Sequence, residues 1–171
     1  MILSFILIAM FIAVLLTYLI PGVGYNLEEH HLRSVSGIIV LWREAGHFSV
    51  SAANLVLFAL LHKTQPDIAW LVWASAQGIL SFDTDTNHTM HIVFVVMFVG
   101  SLLYATVTKC MSDTLLWVHL YPLLGFSAMF VLALLGNFVS GRRYFSFQNL
   151  MELYWMLSFV YFFGKYDEFT E

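Results

Sequence analysis

Apolar residues in this chain come in six long runs separated by short polar breaks, at roughly 2–20, 45–61, 68–82, 89–107, 114–139 and 145–164. A hydrocarbon core about 30 Å thick takes about 20 residues of helix to cross. In lipid each crossing segment must also satisfy its own backbone, which a helix does within one segment. The pattern therefore predicts an all-α fold: a single transmembrane domain over residues 1–171, built as a polytopic bundle of six spans. The second and third runs are the shortest, at about 17 and 15 residues. At 1.5 Å per residue the third reaches roughly 22 Å, so its ends must snorkel or the bilayer must thin. The link 62–67 contains Pro66 and is short enough for an antiparallel hairpin, and Pro122 near the start of the fifth run predicts a kink. The small residues Ala74/Gly78 and Ser101/Ala105 are each four apart, a spacing that lets helices approach closely.

Composition sharpens this picture. The chain is 60% hydrophobic and 17% aromatic but only 11% charged, with a mean hydropathy of +0.82; soluble domains carry about 25% charged residues. A water-soluble helical protein would need polar helix faces that these runs lack. The net charge of -4, with no basic cluster, argues against a nucleic-acid partner. Cys110 stands alone, so an internal disulfide is excluded. The first run has no Lys or Arg ahead of it, is longer than the apolar part of a secretory signal, and lacks an A-x-A-like cleavage site. It is expected to be kept as the first span, ended by Pro21-Gly22.

Charge does not orient the bundle. Six spans place Lys63, Lys109 and Lys165 on the side of the termini, against Arg33, Arg43, Arg142 and Arg143 opposite, which is no usable bias. The polar groups do separate. Glu44, His47, Asp83, Asp85, His88, His91, Asn137 and Glu152 all fall near span ends on the side away from the termini, and the loop 21–46 adds Glu28, Glu29, His30 and His31 there. That face is the expected functional surface.

Several chemistries suit it. Asp83, Asp85, His88 and His91 are ligand types for a divalent metal, with the two histidines i, i+3 on a helix. A catalytic zinc would need three such ligands and an open position, but the spacing matches no specific zinc motif. The other reading is an interface with lipid headgroups and water, with no cofactor. Asn87-His88-Thr89 also fits the glycosylation sequon. Glu152 lies about two turns inside the last run, where a carboxylate is costly unless it faces the bundle interior, a cavity or a partner charge. It is expected to face inward and be paired, with Arg43, Arg142, Arg143 or His91 as partner. Tyr154, Trp155, Tyr161 and Tyr166 read as interface aromatics. The sequence carries no Gly-rich phosphate loop, nucleophile elbow or haem pair.

The stretch from Glu152 to Phe169, with Tyr154, Phe159, Tyr161 and Asp167, resembles the closing segment of the damage-regulated autophagy modulator family. There a Glu followed by an aromatic opens the last helix, and an Asp-x-Phe-like tail ends it. The run from Glu44 to Asn54 resembles that family's second span, with its mid-helix Asn. Residues 81–91 followed by Phe98 to Tyr104 resemble its third loop, where a His introduces the fourth span. The related factor that remodels lipids of GPI-anchored proteins is similar in layout. This chain has Arg43 where the family's pre-helix Pro sits, and offers both His88 and His91 for one family His. The resemblance implies six spans, cytosolic termini, and an endomembrane (Golgi or lysosomal) or plasma-membrane location. It further implies a role in lipid remodelling, membrane-lipid organisation or autophagy, and singles out Glu44, Asn54, His88 or His91, and Glu152.

Three classes of function follow. The first is a non-catalytic lipid-handling protein, whose partners are membrane lipids. The second is an intramembrane lipid hydrolase or acyltransferase using the His/Asp/Glu face. The third is an accessory subunit held among other membrane subunits of a larger complex.

Overall fold

A computed structural model of the chain describes residues 2–28, 30–33, 35–41, 43–82, 84–112, 114, 117–140 and 145–168. In order these form α1 (Ile2–Thr17), a hairpin of β1 (Tyr25–Asn26) and β2 (His31–Leu32), and α2 (Val35–Leu41). Then come α3 (Arg43–His62), α4 (Pro66–Ser81), α5 (Thr84–Ser112), α6 (Trp117–Ser140) and α7 (Phe145–Glu168). The protein is all-α in class, the one sheet among the described residues being the two-residue-per-strand hairpin. Each helix of 16 residues or more lies over one of the apolar runs.

The helices contact one another in a closed order. α3 packs on α4, α4 on α5 and α6 on α7, and α1 closes the ring between α7 and α3; α5 and α6 are the loosest neighbours. The most fully buried apolar cluster joins Leu60 and Leu61 of α3, Val72 of α4, Leu102 and Ala105 of α5, and Leu120 and Leu123 of α6 to Trp155, Phe159, Phe162 and Phe163 of α7. These residues lie toward the end of the bundle that carries the α3–α4 link. The opposite end is held by the hairpin and by polar contacts.

Local chemistry explains where the helices depart from the apolar runs. α3 begins at Arg43, two residues before the second run, because helix initiation does not require apolar residues. α4 opens with Pro66 in its first turn, where the missing N–H is one of the unpaired donors anyway. α5 is interrupted at Asn87, which has φ -156° and ψ 85°, the extended conformation of an N-cap. Its Oδ1 accepts the Met90 N–H at 3.1 Å, so Asn87 caps the segment behind it. That capping role is what the structure shows for the residue the sequon singles out. α6 runs from Trp117 to Ser140 with Pro122 inside it.

Small residues set the α4–α5 distance. A Cβ on Gly78 would collide with the Phe94 ring, and that ring stacks on Phe82, with centroids 5.5 Å apart and planes 9° from parallel. Ser101 and Ala105 are buried on the same helix, and the Ala105 carbonyl accepts the Gln65 side-chain amide at 3.0 Å.

Candidate functional site

The polar site is built where α1 ends, the hairpin folds back and α7 begins. α1 stops at Thr17, ahead of Pro21, because the chain turns immediately: Leu19 N–H bonds to Leu16 O and Ile20 N–H to Thr17 O. Gly24 then lies so close to the Tyr18 backbone that a Cβ there would clash with it. The strands pair antiparallel, Tyr25 opposite Leu32 and Asn26 opposite His31. Asn26 Oδ1 accepts the Glu28 N–H at 3.1 Å, the side-chain turn for which Asn is favoured. His30 takes the left-handed φ of +55° that completes the reversal. The Arg33 N–H donates to Gly24 O at 2.9 Å, which closes the base of the hairpin.

Three side chains tie this segment to the helices. The Tyr18 hydroxyl donates to the Arg33 carbonyl at 3.1 Å. The Asn149 side-chain amide, buried in α7, donates to the Leu32 carbonyl at 2.6 Å. Glu152, half-buried one turn further along α7, accepts the backbone N–H of Val35, the first residue of α2. Asn149 and Glu152 are i, i+3 and so share one face of α7. Tyr18 lies within electrostatic reach of the Glu152 carboxylate.

A carboxylate at the first N–H of a helix supplies the acceptor that the helix start lacks and meets the positive end of its dipole. Glu152 therefore is paired, but to a main-chain donor. Of the four partners expected for it, His91 is engaged elsewhere: its Nδ1 bonds to the Phe82 carbonyl at 2.8 Å. The Arg43 side chain and residues 141–144 lie outside what the structure describes. At the base of the hairpin, the Arg33 Nε–H is buried and meets no hydrogen-bond acceptor.

The other residues singled out by the sequence are spread over the fold. Asp83 lies outside the described residues, as do the side chains of Glu44, Asp85, His88 and Asn137. His47 is partly exposed in the first turns of α3. Asn54 is buried midway along α3, with Nδ2 donating to the Trp73 carbonyl at 3.3 Å and Oδ1 unpaired. His91 is buried at the α4–α5 corner. Among the described residues no three His, Cys, Asp or Glu side chains come together to hold a metal.

Sequence reasoning passed over Tyr18, Arg33 and Asn149. Tyr18 reads as one more interface aromatic, and Arg33 as one of four scattered arginines. Asn149 alone carried a usable signal, a second polar residue one turn from Glu152 at the start of an otherwise apolar run. No family model, no characterised protein and no solved structure matches this chain.

Proposed function

We propose that this protein is a multi-pass membrane protein in which the six long helices stand across a bilayer, and that it acts in membrane-lipid remodelling or organisation through its hairpin end. One observation carries the reading: large apolar side chains stand exposed along the long helices while several polar ones are buried between them. Leu16, Val96, Val118, Leu132 and Val139 are each more than half exposed, while Asn54, Ser75, Ser101, Thr106 and Ser158 are all buried. Soluble monomers rarely expose apolar patches beyond a few hundred Å². The buried hydroxyls fit the same picture. Ser75, Ser101, Thr106 and Ser158 return their hydrogens to carbonyls three or four residues back in their own helices, so they sit in helix–helix seams without an unmet donor.

Length agrees for part of the chain. Among the described residues one helix, Thr89–Ser112, is long and apolar enough to cross a membrane, with shorter apolar helices at His47–His62 and Trp117–Ala133. α1 and α4 have 16 residues each, roughly 24 Å of helix, and cross with thinned lipid around them. The resemblance to the damage-regulated autophagy modulator family points to the same six spans and to lipid handling. The polar hairpin end, held by Tyr18, Asn149 and Glu152, is the part of the molecule that would meet lipid headgroups.

The test is topological. The protein should stay in the membrane pellet through an alkaline carbonate wash, and single cysteines at Thr64 and Thr84, in a Cys110→Ser background, should label from opposite sides of sealed vesicles. Release by carbonate, or labelling of both positions from one side, refutes the six-span arrangement.

A further inference from the structure

We propose that the apolar belt of this protein fits a bilayer of short acyl chains, and that phospholipids with such chains are the lipids it gathers around itself; this rests on the membrane reading above and names the lipid class that surrounds the bundle. Two bonds between helices measure the belt. At one end the His91 ring bonds to the carbonyl of Phe82, just past the end of α4. At the other end the Gln65 side-chain amide, just ahead of α4, donates to the carbonyl of Ala105. The two ends of α4 are thus pinned to points 14 residues apart on α5, roughly 21 Å of helix. Backbone outside a helix does not face lipid within the hydrocarbon. The chain is non-helical at Gln65 and Phe82, and their neighbours Thr64 and Ser81 are exposed. Those two points therefore bound the hydrocarbon on this side of the bundle.

The other helices give similar lengths. On α7, Asn149 holds the Leu32 carbonyl of the hairpin and the Tyr161 hydroxyl meets His119 Nδ1; the two residues are roughly 18 Å apart along the helix. The apolar part of α3 runs from His47 to His62, roughly 22 Å. An ordinary hydrocarbon core is about 30 Å thick, so the belt is short by about 8 Å or more. Exposed aromatics with polar tips mark its edge at the α3–α4 link. Trp70, Tyr104, Tyr121 and Tyr161 come one from each of α4 to α7, and each is at least 45% exposed; Trp and Tyr are the side chains enriched at the membrane–water boundary. Between the two pins on α5 the exposed side chains include Val93 and Val96. The longer helices fit the same thickness. α5 continues past Ala105 with Thr108, Lys109 and Ser112, which suit the headgroup layer. α6, only loosely packed on α5, takes up its extra length by tilting.

The experiment uses the full-length protein reconstituted into phosphatidylcholine vesicles. Brominated dioleoylphosphatidylcholine quenches its tryptophan fluorescence, and unbrominated lipids of different chain length compete for the protein surface. Dimyristoleoylphosphatidylcholine should compete at least about threefold better than the dioleoyl lipid, and the dierucoyl lipid worse than either. The Tm should fall in the same order as the chains lengthen. Tyr104→Leu, Tyr121→Leu and Tyr161→Leu together keep the helix lengths but remove most of the aromatic edge, and should reduce the preference to about twofold or less. An undiminished preference in that variant overturns the role given to the aromatic edge. Equal competition by all three lipids, or a preference for the dioleoyl lipid, in a protein that passes the carbonate test overturns this proposal alone. Release by carbonate overturns the membrane reading beneath it.

Discussion

Replacing Glu152 by alanine removes the acceptor of the Val35 N–H and leaves that donor unpaired at the start of α2. The cost can be worked from the contact. Hydrogen bonds to charged groups contribute about 1.5–3 kcal/mol, and losing a helix cap costs about 0.5–2 kcal/mol. The two ranges describe the same contact and are not added, so a loss of about 1–2 kcal/mol is expected. At about 2–4 °C per kcal/mol for a chain of this size, Tm in detergent should fall by roughly 2–8 °C. Breaking a buried ion pair would cost more, about 3–5 kcal/mol, so the size of the fall separates a main-chain partner from a charged one. The decisive measurement is a double-mutant cycle. Val35→Pro deletes the donor while keeping a residue that is tolerated at the first helical position, and the cycle cancels the unrelated cost of changing a buried valine. In the Val35→Pro background Glu152→Ala should cost little further. If it costs as much there as in the parent protein, Glu152 does not act through Val35, and the assembly of the hairpin end described above is wrong.

Three further outcomes are expected. Gly78→Val should destabilise by about 1–3 kcal/mol through overpacking, since the new side chain meets the Phe94 ring that is stacked on Phe82; Phe94→Ala should restore part of the loss in a thermal melt, and no rescue would show that the clash lies elsewhere. Asn87→Ala should cost about 1 kcal/mol and Asn87→Asp much less, because only the alanine loses the cap on Met90; equal melting of both variants with the parent would refute the cap. Asn54→Leu should leave stability unchanged or raise it, because the buried Oδ1 has no donor and the Nδ2 bond is long, and an apolar group of similar size then loses little; a fall of more than about 2 kcal/mol would mean that Asn54 Oδ1 is paired in the working protein.

How much of this could be read in advance differs between elements. The six long helices were legible, because a run of apolar residues reports the environment its own segment must occupy, and the backbone in that environment has one economical solution. Pro66 marked its helix start for an equally local reason. That Glu152 needs a partner was expected, since a carboxylate among Leu150, Met151, Leu153 and Trp155 is costly without one; the Val35 N–H that it meets was not among the groups expected. The hairpin and α2 were not, because residues 21–42 show neither a helical nor a sustained alternating period. Their shape follows from one side-chain turn at Asn26, one left-handed residue at His30 and the close approach of Gly24 to Tyr18.

The sequence by itself determined the helices and their approximate lengths. Both follow from hydrophobicity and backbone satisfaction along a single segment. Only the tertiary structure decided who meets whom. Asn149 reaches a carbonyl 117 residues away in sequence, Glu152 takes the main-chain N–H of Val35, and Tyr18 donates to the carbonyl of Arg33. Such pairings depend on the order in which helices close the ring and on the rotation of each about its axis. The rotation is set by contacts such as Gly78 on Phe94, between residues whose chemistry, read one segment at a time, gives no sign of their partner.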